Sequence, residues 1–430
     1  MRRVGHARSR LIAIKQQEGT AAAISAVIHR LGRSVAFRVM RSVRQLGRVE
    51  DLLAALPLPN LFMRQDVLFI GYIEASLGLG ESMRGLVRSV ATTDVPFALY
   101  PYKLGVETRL IGSFMADRYD LKHRHKVNII EMSADQVPHM FGWMGRWKTV
   151  HSYNILRTYW ELPEAPAEWA PMLNGIHEIW APNEFVGDAF HAIFDGPIKI
   201  IPPCVEIKTI NLFGREHLGL DQDMFYFTFS FDYFSHPARK NPLGVLRAFQ
   251  AAFPDPAERV GLVIKSTSAT DQHLDIKAVI LEAARRDPRI KVIDRTFSRD
   301  EMLSLIRESD CYISLHRAEG FGLGMAEAMA FGKPVIGTDY SGSAQFLSAS
   351  TGFPVAFTMQ PVQPGEYIFS DGQSWAEPDH GAAVQAMQRV FYDRAEGQRR
   401  AAAGKVFVET QYGRKNVGRI AAGRLREILR

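Results

Sequence analysis

Two successive series of short apolar runs, each run separated from the next by helix-like sequence, constrain this chain more than any other feature. The first series reads DVLFIGYI (Asp66–Ile73), KVNIIEM (Lys126–Met132), NILRTYW (Asn154–Trp160), HEIWAP (His177–Pro182) and IKIIPP (Ile198–Pro203), with helical stretches such as Gly80–Val90 and Glu184–Ile193 between. The second reads FYFTFSF (Phe225–Phe231), RVGLVIKS (Arg259–Ser266), RIKVID (Arg289–Asp294), DCYISL (Asp310–Leu315) and KPVIGT (Lys333–Thr338). Its helical stretches are Pro242–Phe253, His273–Arg286, Arg299–Glu308 and Gly322–Phe331. Compact apolar runs mark strands covered on both faces, and regular strand–helix alternation marks a parallel sheet between helical layers. The pattern predicts two doubly wound α/β units in tandem, residues 61–215 and 216–400, with the boundary near Leu212–Asp223 and a closing helix within 401–430. Ligands of open α/β sheets bind beyond the carboxyl ends of the strands, so two such units predict a cleft lined by loops from both.

Composition narrows the classes further. Of the 430 residues, 47% are apolar and 23% charged, which excludes a disordered or low-complexity chain. The longest mainly apolar runs, such as Ala21–Ile28, fall far short of the roughly 18 residues a membrane span needs. The two cysteines, Cys204 and Cys311, make no disulfide framework, and no His or Cys spacing suits a metal. The N-terminus is basic but has no apolar core or cleavage site of signal-peptide type. The expectation is a reducing, cytoplasmic compartment with no metal cofactor.

The net charge of +6 is concentrated at one end. Residues 1–50 carry eleven Arg or Lys against two Glu, a net of +9, which leaves the remaining 380 residues at −3. Arg30, Arg33, Arg38, Arg41, Arg44 and Arg48 recur every three to five residues, with Ile28 just before them and Leu31, Val35, Ala36 and Val39 among them. This predicts a basic amphipathic helix over part of residues 1–60, ending near Leu56–Asn60. Its expected uses are as a solvated linker or as a contact with an anionic membrane surface. Nucleic-acid binding is disfavoured, because Phe37 is the segment's one aromatic before residue 50.

Three stretches carry chemistry. The first, HRAEGFGLGMAEAMAFGKPVIGTDYSG (His316–Gly342), follows a predicted strand and opens a helix. Gly320, Gly322 and Gly324 lie between Glu319 and Glu327, so backbone can approach a ligand closely and helix N–H groups can face an anion. That suits a diphosphate, with the two carboxylates placed to accept bonds from sugar hydroxyls. The alternative is a tight strand-to-helix turn with Glu327 solvated. Neither a Walker loop nor a G-x-G-x-x-G dinucleotide fingerprint fits. In the second stretch, Arg239 and Lys240 stand just before a helix started by Asn241 and Pro242, where cations are disfavoured by the helix dipole. Two cations there suit a pyrophosphate leaving group. The third, GYIEASLGLGESMRGLVRSV (Gly71–Val90), places Gly78, Gly80 and Glu81 in a loop facing the cleft from the first unit, with Arg84 read as a partner of Glu81. Tyr159–Trp169 is either an acceptor-lining or a packed aromatic loop, and Asn183 is a helix cap. His139, His151 and His316 read as packing residues first, although His316 gains interest from its nearness to Glu319.

These stretches together resemble the family 4 retaining glycosyltransferases of the GT-B fold. The likeness rests on EGFGLGMAE (Glu319–Glu327), the AMAFGKPVIGTDYSG that follows it, RKNP (Arg239–Pro242), GLGESMR (Gly78–Arg84), YWELP (Tyr159–Pro163) and WAPNEFV (Trp180–Val186). It covers about residues 66–430. The resemblance implies GT-B architecture, two Rossmann-like domains facing across a cleft, with the acceptor side first and the donor side second. It implies Lys240, Arg239 and Glu319 as catalytic residues. Glu327, Gly320, Phe321, Gly322, Leu323 and His316 would bind the donor, Gly80 would close the site, and the last helix would pack back on the first domain. The implied reaction moves a hexose, mannose among the candidates, from a GDP- or UDP-sugar to a hydroxyl of a polysaccharide or lipid-linked oligosaccharide, with retention and without metal. Alternatives are a nucleotide-sugar epimerase and a nucleotide-sugar-binding protein without transferase activity. The chain departs from the family pattern at Phe231-Asp232, where many members have Gly-Arg. It departs again at Gln345, where many have an acidic residue, and at Glu131–Asp135, which has no His.

Overall fold

The computed structural model describes residues 63–107, 110–145, 148–207, 211–270 and 273–430. The basic helix expected within residues 1–60 lies outside the described residues. The first domain contains β1 (Met63–Gly71), α1 (Gly78–Val90), β2 (Phe97–Pro101), β3 (Arg124–Glu131), α2 (Val137–Met144), β4 (Tyr153–Arg157), β5 (Glu178–Ala181), α3 (Glu184–Phe190) and β6 (Ile198–Ile200). Its six strands form one parallel sheet in the order β2-β1-β3-β4-β5-β6. In β1 the side chains alternate between the two faces. Val67 and Phe69 enter one buried cluster and Leu68 and Ile70 the other, which is why the run reads as continuously apolar.

The second domain contains β7 (Phe225–Asp232), α4 (Pro237–Lys240), α5 (Pro242–Ala252), β8 (Val260–Thr267), α6 (Leu274–Arg286), β9 (Ile290–Asp294), α7 (Arg299–Glu308), β10 (Cys311–Ser314), α8 (Leu323–Ala330), β11 (Val335–Thr338) and β12 (Phe353–Val355). The parallel order is β12-β11-β10-β7-β8-β9. Phe225, Phe227, Phe229 and Phe231 of β7 all enter one cluster, while Tyr226 faces the opposite side. Cys204 and Cys311 are both buried free thiols.

An antiparallel hairpin, β13 (Phe357–Pro361) and β14 (Ser374–Pro378), follows β12. No apolar run announces it, because β13 is largely exposed. β2 likewise escaped the sequence reading, as a five-residue strand bounded by Pro96 and ending at Pro101. Helices α9 (His380–Tyr392), α10 (Arg394–Gln411) and α11 (Arg414–Leu429) end the chain. The single closing helix expected within 401–430 is therefore the end of one helix and the whole of another. The break falls where Tyr412 turns inward against Phe321, with ring centroids 5.3 Å apart. Helix α10 packs on α8 of the second domain, and α11 lies against α1 of the first. The chain's two crossings between domains meet where Val205 N–H donates to the Tyr412 carbonyl at 2.9 Å.

Candidate active site

Both sheets have their topological switch beside a central strand, β1/β3 in the first domain and β7/β10 in the second. Loops leaving those strands diverge to either side and open a crevice at the carboxyl ends. The two crevices face one another across a cleft of about 420 Å³. The first domain lines it with residues 76–79, Glu81, Ser82, Tyr159 and Glu161. The second lines it with Asp232, Arg239, Lys240, Arg299, residues 319–323 and Glu327.

The cations rise from a single helical turn, α4, bracketed by two residues in left-handed or related conformation, His236 (φ 59°) and Asn241 (φ 54°). Asn241 tolerates this backbone better than most residues. Its side chain accepts from Gly244 N–H at 3.0 Å, capping α5 as expected, and donates to the Leu315 carbonyl at 3.0 Å. Arg317 N–H donates to the Arg239 carbonyl at 2.8 Å, so the turn is bound to the loop after β10. Arg239 and Lys240 thus close one turn as well as preceding another, and at a turn's carboxyl end a cation is favoured. Lys240 Nζ pairs with Glu319 Oε1. Arg239 Nη1 lies 3.5 Å from Glu319 Oε2 and donates to the Ala318 carbonyl at 2.9 Å, while Nη2 lies 3.7 Å from Glu161 Oε1. Burial alone would raise the Glu319 pKa, but Lys240 and Arg239 hold it down at about 2. Burial lowers that of Lys240 in spite of Glu319.

Glu319 and Glu327 flank the start of α8. Gly322 occupies the N-cap position with φ 90°, a conformation that favours glycine, and brings no capping side chain to the first-turn N–H groups. Leu323 begins the helix at the cleft. Phe321 lies at the edge, its ring packed on Phe346 and Tyr412. Glu327, one turn on, is buried and paired with Arg299. Burial pushes the Glu327 pKa up against the pull of Arg299. Sequence reading missed Arg299, whose position at the start of a separate helix carried no signal. Gly320 presents its carbonyl to Asn183 Nδ2 of the first domain at 2.6 Å. His316 is wholly buried behind this wall, with Nε2 3.0 Å from Ser343 Oγ, and burial lowers its pKa to about 4. The structure therefore does not bring His316 into the cleft with the other second-domain residues expected there.

From the opposite side, Gly78 begins α1 and lines the cleft. Gly80 is buried, and a Cβ there would stand 2.5 Å from the Ala75 carbonyl oxygen, so packing within its own loop explains this glycine. Glu81 pairs with Arg84 at 2.9 Å and Arg88 at 2.6 Å, and Arg84 also donates to the Ile73 and Ala75 carbonyls at 3.1 and 3.0 Å. Arg84 thus fastens the loop. Beneath it, Glu131 and Arg157 form a fully buried pair at 2.8 Å, and Arg157 donates to Ser82 at 2.5 Å. This pair fills the end of β3, where no His was found. At the end of β7, Asp232 accepts from Phe234 N–H at 2.9 Å and supplies no cation, and Gln345 is exposed. Among the described residues no group of three or more His, Cys, Asp or Glu is placed to hold a metal, and no helix is long and apolar enough to cross a membrane.

Comparison with known proteins places this geometry. Residues 240–417 match the family described as family 4 glycosyltransferase in conflict systems. No curated protein matches the sequence. Among solved structures, sucrose-phosphate synthase from Thermosynechococcus elongatus is 14% identical with a TM-score of 0.61, covering 85% of this chain and 99% of its own. A glycosyltransferase from Rickettsia africae is 14% identical with a TM-score of 0.59, covering 86% of this chain and 99% of its own. HepE of Anabaena, solved with UDP and glucose, is 13% identical with a TM-score of 0.56, covering 84% of this chain and 100% of its own. At these identities the structural likeness is one of fold. Residues 240–417 thus resemble family 4 glycosyltransferases in sequence, and the architecture on both sides of the cleft is that of the GT-B fold.

Proposed function

We propose that the chain transfers a hexosyl group, with retention, from a nucleoside diphosphate sugar to a hydroxyl of a polysaccharide or lipid-linked oligosaccharide. The observation that carries this reading is the convergence of Lys240, Arg239 and the uncapped start of α8 on one cleft, with Glu319 and Glu327 beside them. The leaving diphosphate lies against the two cations and the first N–H groups of α8, which stabilise its developing charge. Glu327 binds the ribose, and Glu319 contacts the donor sugar. The bond from the anomeric carbon to the diphosphate oxygen breaks as the bond to the acceptor oxygen forms on the same face. The acceptor proton passes to the leaving phosphate oxygen. No enzymic nucleophile and no metal enter this route. Exclusion of water by the facing domains limits hydrolysis.

HepE of Anabaena, solved with UDP and with UDP-glucose, makes a UDP-sugar the first donor to test. The test is thermal stability of the full chain with UDP, GDP, ADP and CMP, each with and without Mg²⁺, with Glu327→Ala as control. One nucleoside diphosphate at about 100 times its dissociation constant should stabilise the chain by ~2.7 kcal/mol, equally with and without Mg²⁺, and not in the variant. No response to any nucleotide sinks the reading. We assign the acceptor to a membrane-associated glycan because residues 1–50 carry a net +9. The place of action is then the inner face of the cytoplasmic membrane. Flotation with anionic but not neutral vesicles tests that assignment.

A further inference from the structure

Glu161 belongs to the acceptor-side domain, beyond the end of β4, yet its carboxylate reaches the donor side of the cleft. Its Oε1 lies 3.7 Å from Arg239 Nη2, and its Oε2 accepts a 2.6 Å hydrogen bond from the Tyr367 hydroxyl. Tyr367 lies in the loop between β13 and β14, which the donor-side domain extends over its neighbour. Gln373 fastens that loop, donating to the Glu164 carbonyl at 2.7 Å and accepting from Glu164 N–H at 3.2 Å. The rings of Trp160 and Tyr367 meet at 5.6 Å, and those of Trp169 and Phe369 at 5.7 Å. The Tyr367 ring also underlies the Arg239 guanidinium at 6.0 Å. Two cations, Arg239 and Lys240, thus face two carboxylates, Glu319 and Glu161, and one carboxylate comes from the opposite domain.

We propose that Glu161, held by Tyr367, is a positioning and charge-setting residue of the diphosphate site. It orients the Arg239 guanidinium and completes a neutral set of charges, so that the leaving diphosphate is stabilised during transfer and released afterwards. The inference rests on the diphosphate reading of Arg239 and Lys240 given above. A pair of cations opposed by one carboxylate holds a diphosphate product more tightly and releases it more slowly. Because Glu161 is supplied across the cleft, the balance is complete only while the clasp of residues 362–373 holds the domains together.

The test uses the full chain and two near-isosteric variants. Glu161→Gln keeps the shape and the acceptor for Tyr367 but removes the charge. Tyr367→Phe keeps the ring packing and removes the hydroxyl. Calorimetry with UDP at low ionic strength should show Glu161→Gln binding about threefold tighter or more, the reverse of what simple structural damage does. Amide hydrogen exchange of the protein alone should speed up about fivefold over residues 236–241 in Tyr367→Phe, and stay unchanged in α6. With a donor that turns over, Glu161→Gln should lower kcat without raising the donor KM. Weaker UDP binding in Glu161→Gln overturns the charge-setting role. Unchanged exchange over residues 236–241 in Tyr367→Phe overturns the positioning role, whatever UDP does. If the unaltered chain ignores UDP while that exchange responds, the positioning role stands and the nucleotide assignment falls.

Discussion

Lys240 and His316 show how differently two polar residues near one motif behave. Lys240 faces the cleft and pairs with Glu319, whereas His316 is sealed behind it. Lys240→Ala should lower turnover by roughly 10²–10³-fold, the usual cost of removing one preorganised contact to transition-state charge. Near-normal turnover in that variant would remove Lys240 from the mechanism. His316 makes a different prediction. Its pKa falls from the ordinary 6.5 to about 4 on folding, because burial disfavours the cation. The stability it contributes is therefore complete above about pH 6.5 and is lost as pH falls through about 4, a change of about 3 kcal/mol. Denaturant titrations of the parent and His316→Gln should diverge over that window. Parallel curves would mean that the folded protein already holds His316 protonated.

At the scale of elements, the segment from β10 to the turn after β11 behaves as one unit. Glu319 N–H donates to Ser341 Oγ at 2.8 Å, and Gly342 N–H donates to the Glu319 carbonyl at 2.9 Å. A Cβ on Gly342 would stand 2.2 Å from the Gly320 carbonyl oxygen and 2.5 Å from Asn183 Nδ2. The first of these contacts is backbone and has little room to move. Gly342→Ala should therefore displace the glycine turn that opens α8, costing at least about 2 kcal/mol of stability, with the nucleotide response reduced as well. A variant with parent-like melting and parent-like nucleotide response would show that the turn yields without harm. Asn183 was legible as a helix cap, and it does accept from Val186 N–H at 3.0 Å. Its second bond, to Gly320 of the other domain, had no sequence signal, since the two lie 137 residues apart.

For the whole molecule, the two domains share apolar structure. The cluster around Trp160 and Trp169 of the first domain also contains Ala318, Val362, Tyr367 and Trp375 of the second. Shared burial of this kind couples unfolding, whereas domains that merely touch unfold separately. Calorimetry of the parent should show one cooperative transition. Trp375→Ala, which removes a side chain 2% exposed, should cost about 3–5 kcal/mol and split that transition in two. Two transitions already present in the parent would show that the hairpin does not couple the domains. The return of α11 to the first domain adds to the coupling, with Arg424 Nη2 donating to the buried Glu178 carboxylate at 2.6 Å.

The tandem doubly wound domains were readable because each depends on local pattern. Apolar runs such as Val67–Ile70 and Phe225–Phe231 must be covered on both faces wherever they occur. The turn at Gly322, the cap at Asn241 and the Glu81–Arg84 pair are local for the same reason, since each is decided within a few residues. Tertiary structure alone decided what lies opposite what. It joined Arg299 to Glu327, Glu131 to Arg157, and Tyr367 to Glu161 across 206 residues. It also put His316 behind the wall while Glu319, three residues on, faces the cleft. Strand β2 and the β13–β14 hairpin belong with these. Too short or too exposed to show an apolar period, they are held by partners that the sequence does not place beside them.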